Sequence, residues 1–524
     1  MKRIFLSVIL VSILLLFAFP AFADTQTVHA PGGTVKSSED FVAALGGDNN
    51  VRPDSLSLRR DLTLDSPIVI EEGTYVLNGA GCEIVRGFDE GEMIVVKHGA
   101  ALDLGKSGAI GSDASLILTG NDKGKAASLI RVEGDLNLYG GTVLSGQCSV
   151  GKGACFYVKE NGMLNIYGGE ITDCVSTYSG GAIFVEDGGI LNIADVSIKN
   201  CTAPEGGAIT VEGRAALLGG TVENCAADTY GGGICVHSAK VTLGGILCKN
   251  CTASLGGGAF VSDTTVLNGF SVEGCTALRG GGLYLMKDAV SAGFSISSCQ
   301  ADDGAGIYTE GELTLEAGYF SENTAANRGG CIYISGSGSV IHHDCTFISG
   351  TAKYGGGIYN SGTLDMSGGG FMMNKADCGS AVCSEGTVVL RESVIISKGS
   401  NIALVRGENG GTIRVDGKLT APAVSELVPA VMVNKEIRPD YTVGTVILEG
   451  TEEDVKDAAG RFTLTDASGK EYVVSEKGEL KNKVTIPVSV FVYVGIGVLL
   501  FAGVGTAVVV IDKKKKASKG ENAR

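Results

Sequence analysis

Between Gly162 and Glu186 the chain alternates apolar and polar residues in three short runs, each cut off by a corner. Leu164-Asn165-Ile166-Tyr167 runs into Gly168-Gly169. Ile171-Thr172-Asp173-Cys174 follows. Gly180-Gly181-Ala182-Ile183-Phe184-Val185 then ends at Asp187-Gly188-Gly189. Alternation with a period of two predicts half-buried strands, and Gly-rich breaks predict tight corners. The pattern starts again at Leu191-Asn192-Ile193, passes through Val196 to Cys201, and returns to Gly206-Gly207-Ala208-Ile209.

A Gly-Gly-small-aliphatic motif marks each return. Its first glycines are Gly180, Gly206, Gly231, Gly256, Gly280, Gly304, Gly329, Gly355 and Gly379, spaced 24 to 26 residues apart. A fixed period of this size is the mark of a solenoid, in which each repeat buries its apolar side only against its neighbours. Three strands per turn with no helical period between them predict a parallel β-helix. Like residues then stack at about 4.8 Å, the strand spacing of a sheet. The paired glycines fall where the backbone turns sharply, a place for residues without Cβ. Leucine-rich repeats share the period but need Leu-x-x-Leu-x-Leu, which is absent. The 80 glycines show no Gly-X-Y triplet, which excludes collagen.

A second column runs through the repeats. Cys148, Cys174, Cys201, Cys225, Cys251, Cys275 and Cys299 recur at 24 to 27 residues, and Asn323, Gly350 and Asn374 take the slot in later coils. Stacked coils bring such residues within the Cα separation of roughly 4.4–6.8 Å that a disulfide tolerates. Each cysteine would have two equivalent neighbours, however, and the total of 15 is odd. Mostly free, buried thiols are expected, with scattered disulfides as the alternative. Cys-x-x-Cys stands once, at Cys248–Cys251, and does not recur from turn to turn, so a metal array gains no support, and no metal or cofactor is expected.

The pairing of GGA[ILV] with FxxN resembles the repeat signature of the chlamydial polymorphic membrane proteins and related bacterial surface proteins. Here GGAI stands at Gly180–Ile183 and Gly206–Ile209, and FxxN at Phe320–Asn323 and Phe371–Asn374. In other coils Cys stands where the motif has Asn, as in Val222-Glu223-Asn224-Cys225. The resemblance covers about residues 145–385. It implies a right-handed β-helix of the pectate-lyase-like type and surface adhesion as the role. The chlamydial proteins end in an autotransporter barrel, whereas this chain ends in a single apolar segment, so their export route does not carry over.

The two ends define the remaining organisation. Lys2-Arg3, the apolar run Ile4–Phe19 and Ala21-Phe22-Ala23 read as a signal peptide over 1–23. Residues 24–60 are expected to hold an N-terminal cap, with a short amphipathic helix over Ser37–Gly47. Strand-like segments at Leu56–Leu58, Leu62–Leu64, Ile68–Ile70 and Tyr75–Leu77 lead into a β-helix over 61–419. Residues 420–483 read as a small membrane-proximal β-rich unit with a short helix opening at Thr451. Residues 484–511 carry no charge and exceed the roughly 20 needed to span a bilayer. The basic tail 512–524 then stays on the cytoplasmic side. The expectation is a single-pass protein with an extracellular ectodomain.

The formal charge is −16, and the chain between the basic ends is more acidic still. Such a surface repels phosphates, so no nucleic-acid partner is expected. Chemistry on this fold would need converging carboxylates or a poised base. Asp302-Asp303 reads as exposed turn acids whose side chains point opposite ways. His342-His343-Asp344 reads as a solvated turn. Asn200-Cys201-Thr202 and Asn250-Cys251-Thr252 match the glycosylation sequon, but their place in packed coils makes the match accidental. Successive coils differ by a residue or two, leaving no loop long enough to wall a cleft between Gly153 and Val382, while 93–130 is less regular. The function expected is a membrane-anchored binding scaffold, adhesin-like toward glycans, host proteins or neighbouring cells. A polysaccharide lyase or glycoside hydrolase, and a purely structural envelope protein, are the alternatives.

Overall fold

In the computed structural model the described residues are 33–35, 55–106, 115–121, 125–148, 151–406, 411–420 and 425–484. They form a parallel β-solenoid of about 14 turns. The signal segment, the cap helix expected over Ser37–Gly47, all of 484–511 beyond Val484, and the basic tail lie outside them. Among the described residues no helix is long and apolar enough to cross a membrane.

Each turn contributes one strand to each of three long sheets. In the turn first read from the sequence these are Met163–Ile166, Glu170–Ser176 and Ile183–Val185. The next turn supplies Ile190–Ile193, Ser197–Lys199 and Ile209–Val211. Pairing is parallel and in register. Leu164 stacks on Leu191, Ile171 on Ile198, and Ile183 on Ile209. The N-terminal strands Ser55–Leu58, Leu62–Leu64, Ile68–Ile70 and Gly73–Asn78 start the same ladders.

The apolar alternation seen in the sequence is the inward set. Leu191, Ile193, Ile198, Ile209 and Val211 are all fully buried, and their counterparts above and below join them in one continuous core. In the second sheet the inward row changes from Ile198, Val222 and Cys248 to Phe320, Phe347 and Phe371. Those rings stack at 4.6–4.9 Å. Like side chains in successive turns therefore meet face to face, as cross-strand pairs do in any sheet.

A fourth, shorter ladder lies at the corner between the second and third sheets. Thr202–Glu205 pairs with Ala226–Tyr230, and Gln300–Asp303 with Thr324–Arg328. Single bridges carry the ladder through the turns between, from Ala226 to Thr252 and from Tyr230 to Leu255 and Arg279. In the sequence this stretch shows no strand alternation, and Asp302-Asp303 within it reads as turn acids. Its inward alanines, Ala301, Ala325 and Ala352, pack with Ala305 in a small cluster of their own.

At the C-terminal end the ladder continues instead of stopping. Ser425–Val433 pairs in parallel with Asn401–Arg406, and Leu448–Glu449 with Ile413–Val415. The chain then turns antiparallel through Phe462–Thr465, Glu471–Val474 and Leu480–Asn482. One helix, Glu452–Ala459, lies here, with Thr451 as its N-cap accepting from the Asp454 amide. It turns buried Val455, Ala458 and Ala459 to the core. Antiparallel strands and a helix close a sheet end whose parallel edge would otherwise be open to another strand.

Candidate functional site

The nine motif glycines all sit at φ between 58° and 68°. A Cβ on Gly231 would also meet the Ile234 carbonyl oxygen at 2.1 Å, and one on Gly232 the Gly257 oxygen of the next turn at 2.4 Å. The first glycine of each pair thus makes the corner, and the second lets consecutive corners stack.

Inside that corner lies the cysteine column. Cys174, Cys201, Cys225, Cys251, Cys275 and Cys299 are buried free thiols. Their role in the corner is hydrogen bonding. The Cys201 amide donates to Cys225 Sγ at 3.4 Å, and the Cys251 amide to Cys275 Sγ at 3.3 Å. Where the slot changes residue, the same bond persists: the Cys299 amide donates to Asn323 Oδ1 at 3.0 Å, and the Gly350 amide to Asn374 Oδ1 at 2.8 Å. The donor side matches too. Cys275 Sγ reaches the Cys248 carbonyl at 3.6 Å, and Asn323 Nδ2 the Ile296 carbonyl at 2.9 Å. Cys and Asn alternate in this slot because each accepts from one neighbouring turn's amide and donates to a carbonyl.

Cys148 lies outside the column. The ladder is irregular between Ser145 and Gln147, and Cys148 pairs with Ser176, two residues beyond Cys174. Gly146 occupies the slot, and Cys155 from the facing corner fills the space, 3.2 Å from where a Gly146 Cβ would be. Its sulfur lies 2.9 Å from that of Cys174. The same exchange recurs at Gly350, where Cys331 of the facing corner stands 2.7 Å from the would-be Cβ. Counting residues missed this, because spacing does not register a bulge. Burial pushes the thiols of Cys299, Cys331 and Cys345 up to about 12, so they are protonated and inert at neutral pH.

A second column, on the outside of the third sheet, was not read from the sequence. The middle residue of each strand there points outward, and in five consecutive turns it is Phe260, Tyr284, Tyr308, Tyr333 and Tyr359. Neighbouring rings lie 4.6–5.6 Å apart and within 24° of parallel. The arch covers them on one flank, where Tyr230 meets Phe260 at 4.5 Å and Arg328 stands 4.9 Å from the Tyr333 ring. On the other flank Tyr284 and Tyr359 donate to Glu310 and Glu385. No ring is more than 8% exposed. With their faces spent on one another, the rings stiffen the rod and offer no stacking platform to a ligand. The signal was present as an aromatic two residues after most Gly-Gly-small triplets, masked by Thr210, Cys235 and Cys383 in the same position.

The acidic and histidine pairs separate. Asp302 is exposed, but Asp303 is buried and takes a bidentate contact from Arg328 at 2.9 and 3.0 Å. Asp303 is therefore a rung of the arch and not a free turn acid. Burial alone would lower the Arg328 pKa; the Asp303 carboxylate, with Tyr333 and Tyr359 beside it, more than offsets that. His342 corrects the expectation of a solvated turn. It is an inward residue of Ser339–His343, fully buried, stacked in register between Leu315 and Met366, with neither ring nitrogen hydrogen-bonded. Burial, and then His343, lower its pKa to about 3. His343 and Asp344 do face outward.

Asn200 and Asn250 are exposed, at φ 54° and 52°, while the cysteines that follow them are buried. Packing therefore buries the cysteine of each sequon and leaves the asparagine accessible. Asn224, which has no sequon, adopts the same φ of 54°. The left-handed corner that Asn tolerates accounts for all three.

The outer side of the second sheet is open to solvent. Its early turns present polar residues, such as Ser197 and Lys199, or the Lys249–Glu273 ion pair at 3.0 Å. Its later turns present exposed Tyr319, Met372, Met373 and Ile395, up to 66% accessible at Met373. Met372 and Met373 adjoin Ile395 in the next turn. Compared with known proteins, the chain matches no family model, no curated protein and no solved structure.

Proposed function

We propose that the chain is a membrane-anchored, cell-surface binding scaffold, adhesin-like, with 1–23 as its export signal and 484–511 as its anchor. The observation that carries this reading is the regular register of the three long sheets beyond Phe156. From Phe156 to Asn401 successive strands pair turn on turn, and the described connections between them are short corners. An enzyme on such a scaffold needs long loops from particular turns to build a walled cleft, since binding and catalytic residues gather on loops. A rod of uniform turns instead offers long flat faces. Glycans, host proteins or neighbouring cells are the partners proposed for the second sheet's outer face. The likeness of the GGA[ILV] and FxxN repeats to those of the polymorphic membrane proteins supports the same role.

The test is a glycan-array and cell-binding screen of the full-length protein, alongside an assay for polysaccharide turnover. Saturable binding without turnover supports the scaffold. Turnover abolished by substituting particular acids would replace it with the lyase or hydrolase reading. Neither binding nor turnover would leave a structural envelope protein.

A further inference from the structure

We propose that Glu205, Cys235 and His237 form a site for a single divalent transition-metal ion of the zinc class. The site lies on the outside of the third sheet, where the arch meets it. A thiol, an imidazole and a carboxylate stand here with their ligand atoms within 4.8 Å of one another. This mixed S, N, O set suits zinc and its neighbours; calcium and magnesium prefer oxygen alone.

The fold produces the cluster from two adjacent turns. Cys235 is the outward middle residue of Ile234–Val236, and His237 follows two positions on, on the same side of extended chain. Glu205 ends the arch strand Thr202–Glu205 one turn earlier, just before Gly206. The column that holds Cys235 is filled by Phe260 and tyrosines in the turns that follow. The thiol stands one turn before the aromatic stack begins, at the same turn that carries the histidine.

The histidine is oriented for this role. Ser262 Oγ donates to the Val236 carbonyl at 3.2 Å and therefore accepts from His237 Nδ1 at 3.1 Å. That chain fixes the proton on Nδ1 and leaves the Nε2 lone pair facing the cluster, the second-shell arrangement that metal-ligating histidines use. Nε2 lies 3.1 Å from Cys235 Sγ and 3.6 Å from Glu205 Oε2. Donors bonded tetrahedrally at about 2.0–2.3 Å stand about 3.4–3.6 Å apart; both His237 Nε2 separations are within tenths of an ångström of that, and Cys235 Sγ and the Glu205 carboxylate are no more than 4.8 Å apart. Cys235 is fully buried, while the His237 and Glu205 side chains are 29% and 36% exposed, leaving solvent access for entry and for a fourth ligand. Phe260, with its ring 6.0 Å from that of His237, walls one side.

A Cys–His nucleophile is the competing use. Burial and the carboxylates of Glu205 and Glu212 hold the Cys235 thiol well above its usual pKa. That opposes thiolate chemistry and is reversed by a bound cation.

The experiment titrates reduced, full-length protein with Co²⁺ and follows thiolate-to-cobalt charge-transfer absorption, with Zn²⁺ as competitor. One equivalent is expected, displaced by Zn²⁺, lost in Cys235→Ser and at least tenfold weaker in both His237→Gln and Glu205→Gln. Cys251→Ser, in the inner column, is expected to bind unchanged. His237→Gln and Glu205→Gln alter partly exposed side chains, and circular dichroism checks that they fold. The absence of a charge-transfer band in the wild-type protein overturns the proposal. So does a band that survives both Cys235→Ser and His237→Gln, since the metal would then sit on other thiols.

Discussion

Replacing His342 with leucine should stabilise the protein, and the gain should grow as the solution becomes acidic. In the folded chain the imidazole is fully buried between Leu315 and Met366 in the neighbouring turns, with Phe347 5.4 Å and Phe371 6.3 Å away by ring centroid. Its pKa falls from 6.5 to about 3. Between those values the unfolded chain binds a proton that the folded chain does not, so unfolding gains from acid. The stabilising difference is complete above pH 6.5 and is eroded as pH falls toward 3. At about 1.36 kcal/mol per unit, the whole interval amounts to roughly 5 kcal/mol, of which about 3 kcal/mol is lost between pH 6.5 and pH 4. Two ring nitrogens without partners add a pH-independent cost of roughly 1–3 kcal/mol at neutral pH. Leucine removes both. Urea unfolding of the full-length wild type and His342→Leu at pH 7 and pH 4, read with amide exchange at Ser339–His343, measures the difference. Exchange localises it, since solenoid turns need not unfold together. The variant should be more stable at pH 7 and lead by roughly 3 kcal/mol more at pH 4. Parallel stability curves for the two proteins, or an imidazole that titrates near 6 in the folded state, would refute the reasoning.

Further outcomes follow from the columns. Denatured but unreduced protein should give all 15 thiols to a colorimetric thiol reagent, while the inner ones stay silent in the native state at pH 8; a deficit in denaturant would mean disulfides. Cys251→Asn should cost under about 1 kcal/mol in a denaturant melt, because Asn makes the same pair of bonds at Asn323 and Asn374; Cys251→Ala should cost about 1–2 kcal/mol for the orphaned amide. Gly257→Ala puts a Cβ 2.4 Å from the Gly281 oxygen and should cost about 2–4 kcal/mol, whereas Gly336→Ala, with nothing within 4 Å, should be nearly silent; equal melts for the two would be inconsistent with the stacked corner. If the second sheet's outer face binds, Met373→Glu with Ile395→Lys should weaken cell binding at least tenfold while leaving the melt unchanged.

Much of the architecture was readable because a solenoid writes its geometry once per turn. Alternation at Leu164-Asn165-Ile166 gave the strands, and Gly180, Gly206 and their successors gave the corners. The features that stayed hidden depend on which way a residue points. His342 sits in a polar triplet, yet Ser339–His343 is a strand whose alternation carries Val340 and His342 inward together. Cys148 keeps the period in residue count but lies past an irregular pairing. Cys155 and Cys331 lie far from the slot in sequence and fill it in space. The arch escaped notice because its strands are short and its residues vary, from Pro204-Glu205 to Thr229-Tyr230 to Asp302-Asp303. The cluster of Glu205, Cys235 and His237 draws on two turns, so no local motif announced it.

The interchange of Cys and Asn has a consequence for how such a chain changes over generations. Each slot makes its bonds only with the turns directly beside it, and either residue satisfies them. A whole turn can therefore be gained or lost, and the new neighbours still make the same bonds. Neither end of the rod is disturbed. Reach becomes a quantity that a lineage can tune in steps of one turn, about 4.8 Å, without redesigning what stands at the tip.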